Sequence, residues 1–117
     1  VPARINWKGR PGYGENEPFK PGMIVSNEPG FYKEGVHGVR LENLILCQEA
    51  ETTEHGRFFN FETLTIVPFD LDAVDVTLLD SKEKQLLNDY HSRVYNELSA
   101  YMTEEELVWL KTATRAI

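Results

Sequence analysis

A single cysteine, Cys47, stands among the 117 residues, so no internal disulfide framework can form and the cytoplasm is the expected compartment. Long hydrophobic runs are missing too. No stretch approaches the ~20 apolar residues of a membrane-spanning helix. Residues 1–10 lack the pattern of a signal peptide. Basic charge is scarce: 12 Lys and Arg stand against 19 Asp and Glu, a net charge of -7. That balance argues against nucleic acid or an anionic membrane as a general partner. The chain opens on Val-Pro-Ala without a Met, which points to a shortened or processed chain. Catalytic signatures of other classes are absent: there is no Gly-x-Ser-x-Gly elbow, no Walker-type glycine loop and no Cys–His pair.

What is present is 41% hydrophobic and 26% charged, which suits one ordered domain with one core. Three regions differ in composition. Residues 1–21 carry Gly9, Pro11, Gly12, Gly14, Pro18 and Pro21 and read as loop, with a short strand at 3–7. Residues 22–69 read as strands at 23–27, 39–47 and 58–67, with polar turns at 33–38 and 51–56. Short turns between them predict an antiparallel meander. The 58–67 run is apolar on both alternating faces, which predicts a strand inside a covered sheet.

Residues 70–117 read as helical. Asp80 with Glu83 forms a capping-box pattern. Leu86, Leu87, Tyr90, Val94, Leu98 and Tyr101 then recur at helical spacing, which predicts a helix over 81–102. Thr103 with Glu106 repeats the start signal for a last helix marked by Leu107, Leu110 and Ala113, with Trp109 covering a neighbouring element. Strands first and helices last give an α+β class: an antiparallel sheet with C-terminal helices.

Two acids stand out because they lie in the strand-like part. Glu28 precedes Pro29-Gly30, and Glu42 follows Arg40 by two residues. Alternation along a strand puts Arg40, Glu42, Leu44 and Leu46 on one face and Val39, Leu41, Asn43 and Ile45 on the other. A hairpin closed at 33–38 would bring Glu28 and Glu42 onto adjacent strands, with Cβ atoms about 4.5–5.5 Å apart if they face each other. Two buried carboxylates that close need a shared proton or a cation between them. Arg40 offers one charge, and a divalent metal would offer more. From pattern alone a second reading stays open, in which Glu28 caps a turn and Glu42 pairs with Arg40 on an exposed face.

The stretches "KPGMIVSNEPGFY" and "GVRLENLIL" carry Gly22, Met23, Glu28, Pro29, Gly30, Tyr32, Gly38, Arg40, Glu42 and Asn43. This pattern closely resembles the C-terminal half of the aminopeptidase P catalytic domain. That group belongs to the pita-bread metallopeptidases, with prolidase, creatinase and methionine aminopeptidase. "FFNFETLTIVPFD", "LLNDYH" and "ELVWL" resemble the C-terminal extension of the longer aminopeptidase P enzymes.

The resemblance implies the second half of a pita-bread fold, with residues 1–69 in the catalytic domain and 70–117 in a helical extension. It implies Glu28 and Glu42 as two of five ligands to two divalent metal ions, commonly manganese, with Glu42 bridging both. Arg40 would balance charge and orient Glu42, and Tyr32 would hydrogen-bond near the reacting carbonyl. The implied activity is that of a Xaa-Pro aminopeptidase, and the implied partner is a peptide with proline in second position. A homo-oligomer is expected through the site-facing surface. The alternatives are a prolidase-type dipeptidase and a non-catalytic module that binds peptides or proteins. The helical extension favours aminopeptidase P over prolidase, and retention of both glutamates disfavours the module.

The remaining three ligands of that pattern, two Asp and a His in a His-Gly-x-Gly-type motif, have no match here, so the chain by itself is expected to be inactive. His37, His55 and His91 read as non-ligands. Asp70, Asp72 and Asp75 lack the glycine and terminal Glu of a calcium loop and read as a solvated linker. No compact set of four ligands suits a structural zinc. Cys47 reads as an inert small residue in a strand.

Overall fold

Residues 18–117 are described by the computed structural model; the strand expected at 3–7 lies outside them. The chain divides into two compact units, one ending at Leu64 and the other running from Thr65 to Ile117.

The first unit holds five strands: β1 (Ile24–Asn27), β2 (Gly30–Lys33), β3 (His37–Arg40), β4 (Asn43–Thr53) and β5 (Gly56–Thr63). They form a three-stranded antiparallel sheet in the order β1-β4-β5 and a separate β2–β3 ladder. Gly22 N–H donates to Cys47 O at 2.9 Å and Cys47 N–H to Met23 O at 2.8 Å, which continues the β1–β4 pairing by one step. Cys47 is 1% exposed, in keeping with its reading as a small apolar residue. Phe19 meets Phe61 edge to face with ring centroids 5.0 Å apart.

Several expected boundaries move. A further strand, β2, follows Pro29, because the proline removes one N–H without bending the chain out of its extended path. β4 runs through Thr53, so the turn expected at 51–56 shrinks to its tip. There Gly56 adopts φ +134°, open to glycine and strained for other residues. Ala50 is an extra residue in β4, because the register with β5 shifts between Glu49 and Glu51. Among the described residues β5 lies at the edge of its sheet, and its Phe58 and Phe61 are nearly half exposed rather than covered. It stops at Thr63, not at residue 67.

The second unit shows why the expected strand stops. The phenol oxygen of Tyr90 lies 2.8 Å from Val67 O and 3.1 Å from Thr65 O, and Val67 N–H reaches it at 3.4 Å. Phe69 N–H donates to Nε2 of His91 at 3.0 Å. Helix side chains thus take up backbone groups that a ladder would have used.

Asp70 caps a short 3-10 turn at Leu71–Ala73 by accepting from Asp72 N–H at 3.0 Å. Asp75 accepts from both the N–H and the hydroxyl of Thr77, which holds its carboxyl below the ordinary range. The segment read as a solvated linker is therefore locally tied.

The helices are α1 (Ser81–Leu98) and α2 (Glu104–Ala113), each opened by the expected capping box. In α1 the Asp80 carboxylate accepts from Glu83 N–H at 2.8 Å and Glu83 returns the bond to Asp80 N–H at 2.9 Å. The helix expected over 81–102 ends at Leu98, passes through a 3-10 turn at Ser99–Tyr101, and is extended at Met102. Thr103 must be extended to cap α2, so the chain has to leave the helix before it.

Val94 and Leu110 are fully buried, Leu71 nearly so, and His91 is 1% exposed. Leu86 and Tyr101, expected on the buried stripe, are largely exposed, and the stripe closes on His91 instead. Trp109 is more than half exposed and lines an open cavity of about 490 Å³ with Phe69, Leu71, Thr112 and Arg115.

His91 works as an acceptor. Its Nε2 takes the Phe69 N–H, so the neutral ring must carry its proton on Nδ1, which is buried with no partner at hydrogen-bond distance. Burial holds its pKa below the ordinary value; a loose approach to the Arg115 backbone opposes this, and the Arg115 charge adds to it. An unfolded histidine titrates near ~6.5. The unfolded chain therefore binds the proton first. The contribution of His91 to stability is fully present above that pH and is lost as the pH falls below it toward the lower folded value. Thermal unfolding should show a melting temperature that drops between about pH 7.5 and pH 5.5. His91→Leu should lower the melting temperature at neutral pH, by stranding Phe69 N–H, and should flatten that slope. An unchanged slope in the variant would assign the pH dependence to other groups.

Candidate functional site

The β1–β4 ladder ends on the pair Asn27–Asn43, and the β2–β3 ladder begins on Gly30–Arg40. Both ladders keep one register across the gap between them. Glu28 therefore falls opposite Glu42, and Pro29 opposite Leu41. Leu41 N–H donates to Pro29 O at 3.1 Å, which carries the pairing through the break. Because side chains alternate, Ser26, Glu28, Gly30 and Tyr32 share a face with Gly38, Arg40, Glu42 and Leu44. The hairpin closes as expected at 33–38, where Val36 N–H donates to Lys33 O at 3.1 Å and Gly35 takes φ +70°.

Arg40 lies between the two acids. Its Nε is 3.1 Å from Oε2 of Glu42 and 3.8 Å from Oε2 of Glu28. The Ser26 hydroxyl donates to Oε1 of Glu28 at 3.1 Å. The acids are not buried: the side chains of Glu28 and Glu42 are 47% and 40% exposed, and that of Arg40 is 50% exposed. The hairpin brings them together on its surface, so the pairing of Glu42 with Arg40 on an open face and the meeting of the two acids both hold. Arg40 is held above its ordinary pKa, first by its side-chain hydrogen bond with Tyr32, then by the charges of Glu42 and, more weakly, Glu28. The guanidinium thus stays charged and offsets the two carboxylates.

The site gathers Glu28, Tyr32, Arg40 and Glu42, each of which the sequence singles out. Ser26 was not among them; its signal is the spacing Ser-x-Glu, which puts both side chains on one strand face. The histidines stand elsewhere. His37 is the first residue of β3, pairs with Lys33, and lays its ring near Phe31 on the opposite face. His55 is at the β4–β5 turn beside Glu54, and His91 is the buried acceptor on α1. Among the described residues no three His, Cys, Asp or Glu cluster to hold a metal. What the site offers is two carboxylates on adjacent strands, an oxygen donor pair of the kind that magnesium, calcium or manganese accepts.

Residues 57–117 match the family model described as the C-terminal region of peptidase_M24, and residues 3–49 match that of metallopeptidase family M24. "Probable Xaa-Pro aminopeptidase P" of Arthroderma benhamiae is 40% identical over 105 residues, which are 86% of this chain and 15% of that protein. The protein of the same name from Ajellomyces dermatitidis is 42% identical over 103 residues, 83% of this chain and 16% of that one. The crystal structure of X-prolyl aminopeptidase from Caenorhabditis elegans is described as that of a cytosolic enzyme with a di-nuclear active site. It matches with a TM-score of 0.73 at 33% identity, over 85% of this chain and 17% of that one. The expected fold, antiparallel strands followed by helices as in the second half of a pita-bread domain, is met by this likeness. The chain spans 15% to 17% of the length of these three relatives.

With half-exposed partners, the Arg40 contacts are screened by salt. Arg40→Gln leaves two acids facing each other and should lower the melting temperature at low ionic strength. Most of that loss should vanish in about 1 M salt, where screening acts within ~3 Å. An equal loss at both ionic strengths would mean that Arg40 acts through packing.

Proposed function

Because the chain belongs to the M24 metallopeptidases, we propose that it forms part of a metal-dependent Xaa-Pro aminopeptidase, which hydrolyses the bond between an N-terminal residue and proline. The observation that carries this reading is Glu28 directly opposite Glu42 in a shared register, with Arg40 touching both.

The residues present fit a divalent metal as a partial ligand set. Glu28 and Glu42 present carboxylate oxygens on one open face, and their half exposure leaves room for an ion and for ligands from elsewhere. Carboxylate donors suit manganese. In this reading Glu28 and Glu42 would both hold the metal, Glu42 being the bridging ligand that the family pattern implies. Two such ions, when bound, supply Lewis acidity for a carbonyl and lower the pKa of water. Arg40 offsets the charge that two adjacent acids build up and keeps the Glu42 carboxylate in one orientation. Tyr32 stands on the same face, where its hydroxyl can donate to a substrate carbonyl.

Residues 1–69 would then belong to the catalytic domain and 70–117 to its helical extension. The substrate is a peptide with proline second. The cytosolic description of the Caenorhabditis elegans enzyme supports a cytoplasmic setting. No helix among the described residues is long and apolar enough to cross a membrane. Phe31, Val39 and Leu41, all more than half exposed, lie on the face of the hairpin opposite the acids, and they support association with a second copy through that face rather than through the site face.

In the whole protein, Glu42→Ala should lower manganese content and Xaa-Pro hydrolysis together, by more than the roughly 10–100-fold that follows loss of an outer-shell partner. The 117-residue chain alone should show no turnover of a Xaa-Pro peptide with added manganese, because two carboxylates cannot fix two ions. Metal content unchanged in Glu42→Ala would remove Glu42 from the ligands. Turnover by the chain alone would show that the ligands have been assigned to the wrong residues.

A further inference from the structure

Five glycines in the described residues divide into two kinds. Gly22, Gly35 and Gly56 have positive φ, and a Cβ built on any of them meets nothing within 4 Å. They are glycines for conformation. Gly30 and Gly38 have no positive φ, so conformation does not require them to be glycine. What requires it is one side chain. A Cβ on Gly30 would lie 2.7 Å from both Cε2 and the hydroxyl oxygen of Tyr32, and a Cβ on Gly38 would lie 2.7 Å from its Cδ1.

The register explains the coincidence. Tyr32 pairs across the ladder with Gly38, and Gly30, two residues before Tyr32 on the same face, pairs with Arg40. The ring therefore lies over the backbone from Gly38 to Gly30, in space that two side chains would otherwise fill. Its hydroxyl ends above Gly30, the residue that pairs with Arg40 across the ladder, and from there it helps raise the Arg40 pKa. Arg40 in turn reaches Glu42 and Glu28. Glycine inside a strand weakens it, and here two glycines fall in two strands of four residues each. That local weakness has a reason if the vacated space holds the tyrosine flat.

We infer that Gly30 and Gly38 are positioning residues: together they form a seat for the Tyr32 ring, which aims its hydroxyl at Arg40 and so fixes the cation between Glu28 and Glu42. The inference rests on the metal-binding reading above. A methyl group at either glycine lifts the ring, withdraws the hydroxyl from Arg40 and loosens the carboxylates before any ion arrives.

The test is a double-mutant cycle in the whole protein, read twice: by thermal unfolding after metal removal, and by the Mn2+ dissociation constant from calorimetry. Gly38→Ala should lower the metal-free melting temperature and weaken Mn2+ binding about tenfold, the low end of outer-shell effects. Tyr32→Ala should also weaken Mn2+ binding, and Gly38→Ala/Tyr32→Ala should be no worse than Tyr32→Ala alone in either reading. Gly30→Ala should behave as Gly38→Ala does. Tyr32→Phe keeps the ring and loses the hydroxyl. It should keep the unfolding penalty of Gly38→Ala yet weaken Mn2+ binding by itself, which separates aiming from packing.

Two results would overturn the seat: Mn2+ binding unchanged in Gly38→Ala, or losses in Gly38→Ala and Tyr32→Ala that multiply in the double variant. Failure of the metal reading looks different. There Glu42→Gln would leave Mn2+ binding as in the unaltered protein, whatever the glycine variants do.

Discussion

Two short ladders run in the same register on either side of a proline, and that agreement sets a carboxylate opposite a carboxylate. Pro29 breaks the hydrogen bonding without breaking the path, and the bond from Leu41 N–H to Pro29 O holds the strands in step across the gap. A slip of one residue would send Glu28 or Glu42 to the far face and leave Arg40 beside only one acid. Everything on the site face follows from this agreement. It places Arg40 two residues from Glu42 and diagonal to Glu28, and it places Tyr32 across from Gly38.

The electrostatics of the face favour a cation. Two acids on neighbouring strands repel unless something positive is near, and Arg40 supplies a charge held firmly on by Tyr32, Glu42 and Glu28. The guanidinium is a planar fork that can touch both carboxylates, which a lysine ammonium would do less specifically. Openness is part of the arrangement. Groups half exposed to water keep most of their solvation, and their oxygens remain accessible.

Much of this was legible in the order of residues. Alternation alone put Arg40 and Glu42 on one face, and the Gly-containing turn implied that Glu28 would come back alongside. Both capping boxes were readable from Asp80 with Glu83 and Thr103 with Glu106, because a helix start is a local event of four residues. Other features were hidden because they depend on distant partners. Nothing in the run "TLTIVPF" says that its backbone will be taken by Tyr90 and His91, some 22 to 25 residues later, and so it resembles more strand. His91, read only as a non-ligand, belongs in the core as a neutral acceptor for Phe69 N–H. The different reasons for Gly22 and Gly38 cannot be told from two identical letters, since one is a matter of φ and the other of a neighbour's ring.

The extra residue at Ala50 has a consequence of its own. Up to Glu49 the strand obeys simple alternation, but Glu51 pairs with Phe58 and not with the residue that a regular count would give, so the sides exchange beyond the bulge. Arg57 then comes beside Glu49 and over the ring of Phe59. The tip of this hairpin is thus released from the parity that governs Glu42 at the other end of the same chain segment. In evolutionary terms, β4 and β5 can gain or lose a residue near Ala50 and re-phase only Glu51, Thr52 and Thr53. A length change there would leave the register that sets Glu42 opposite Glu28 as it stands.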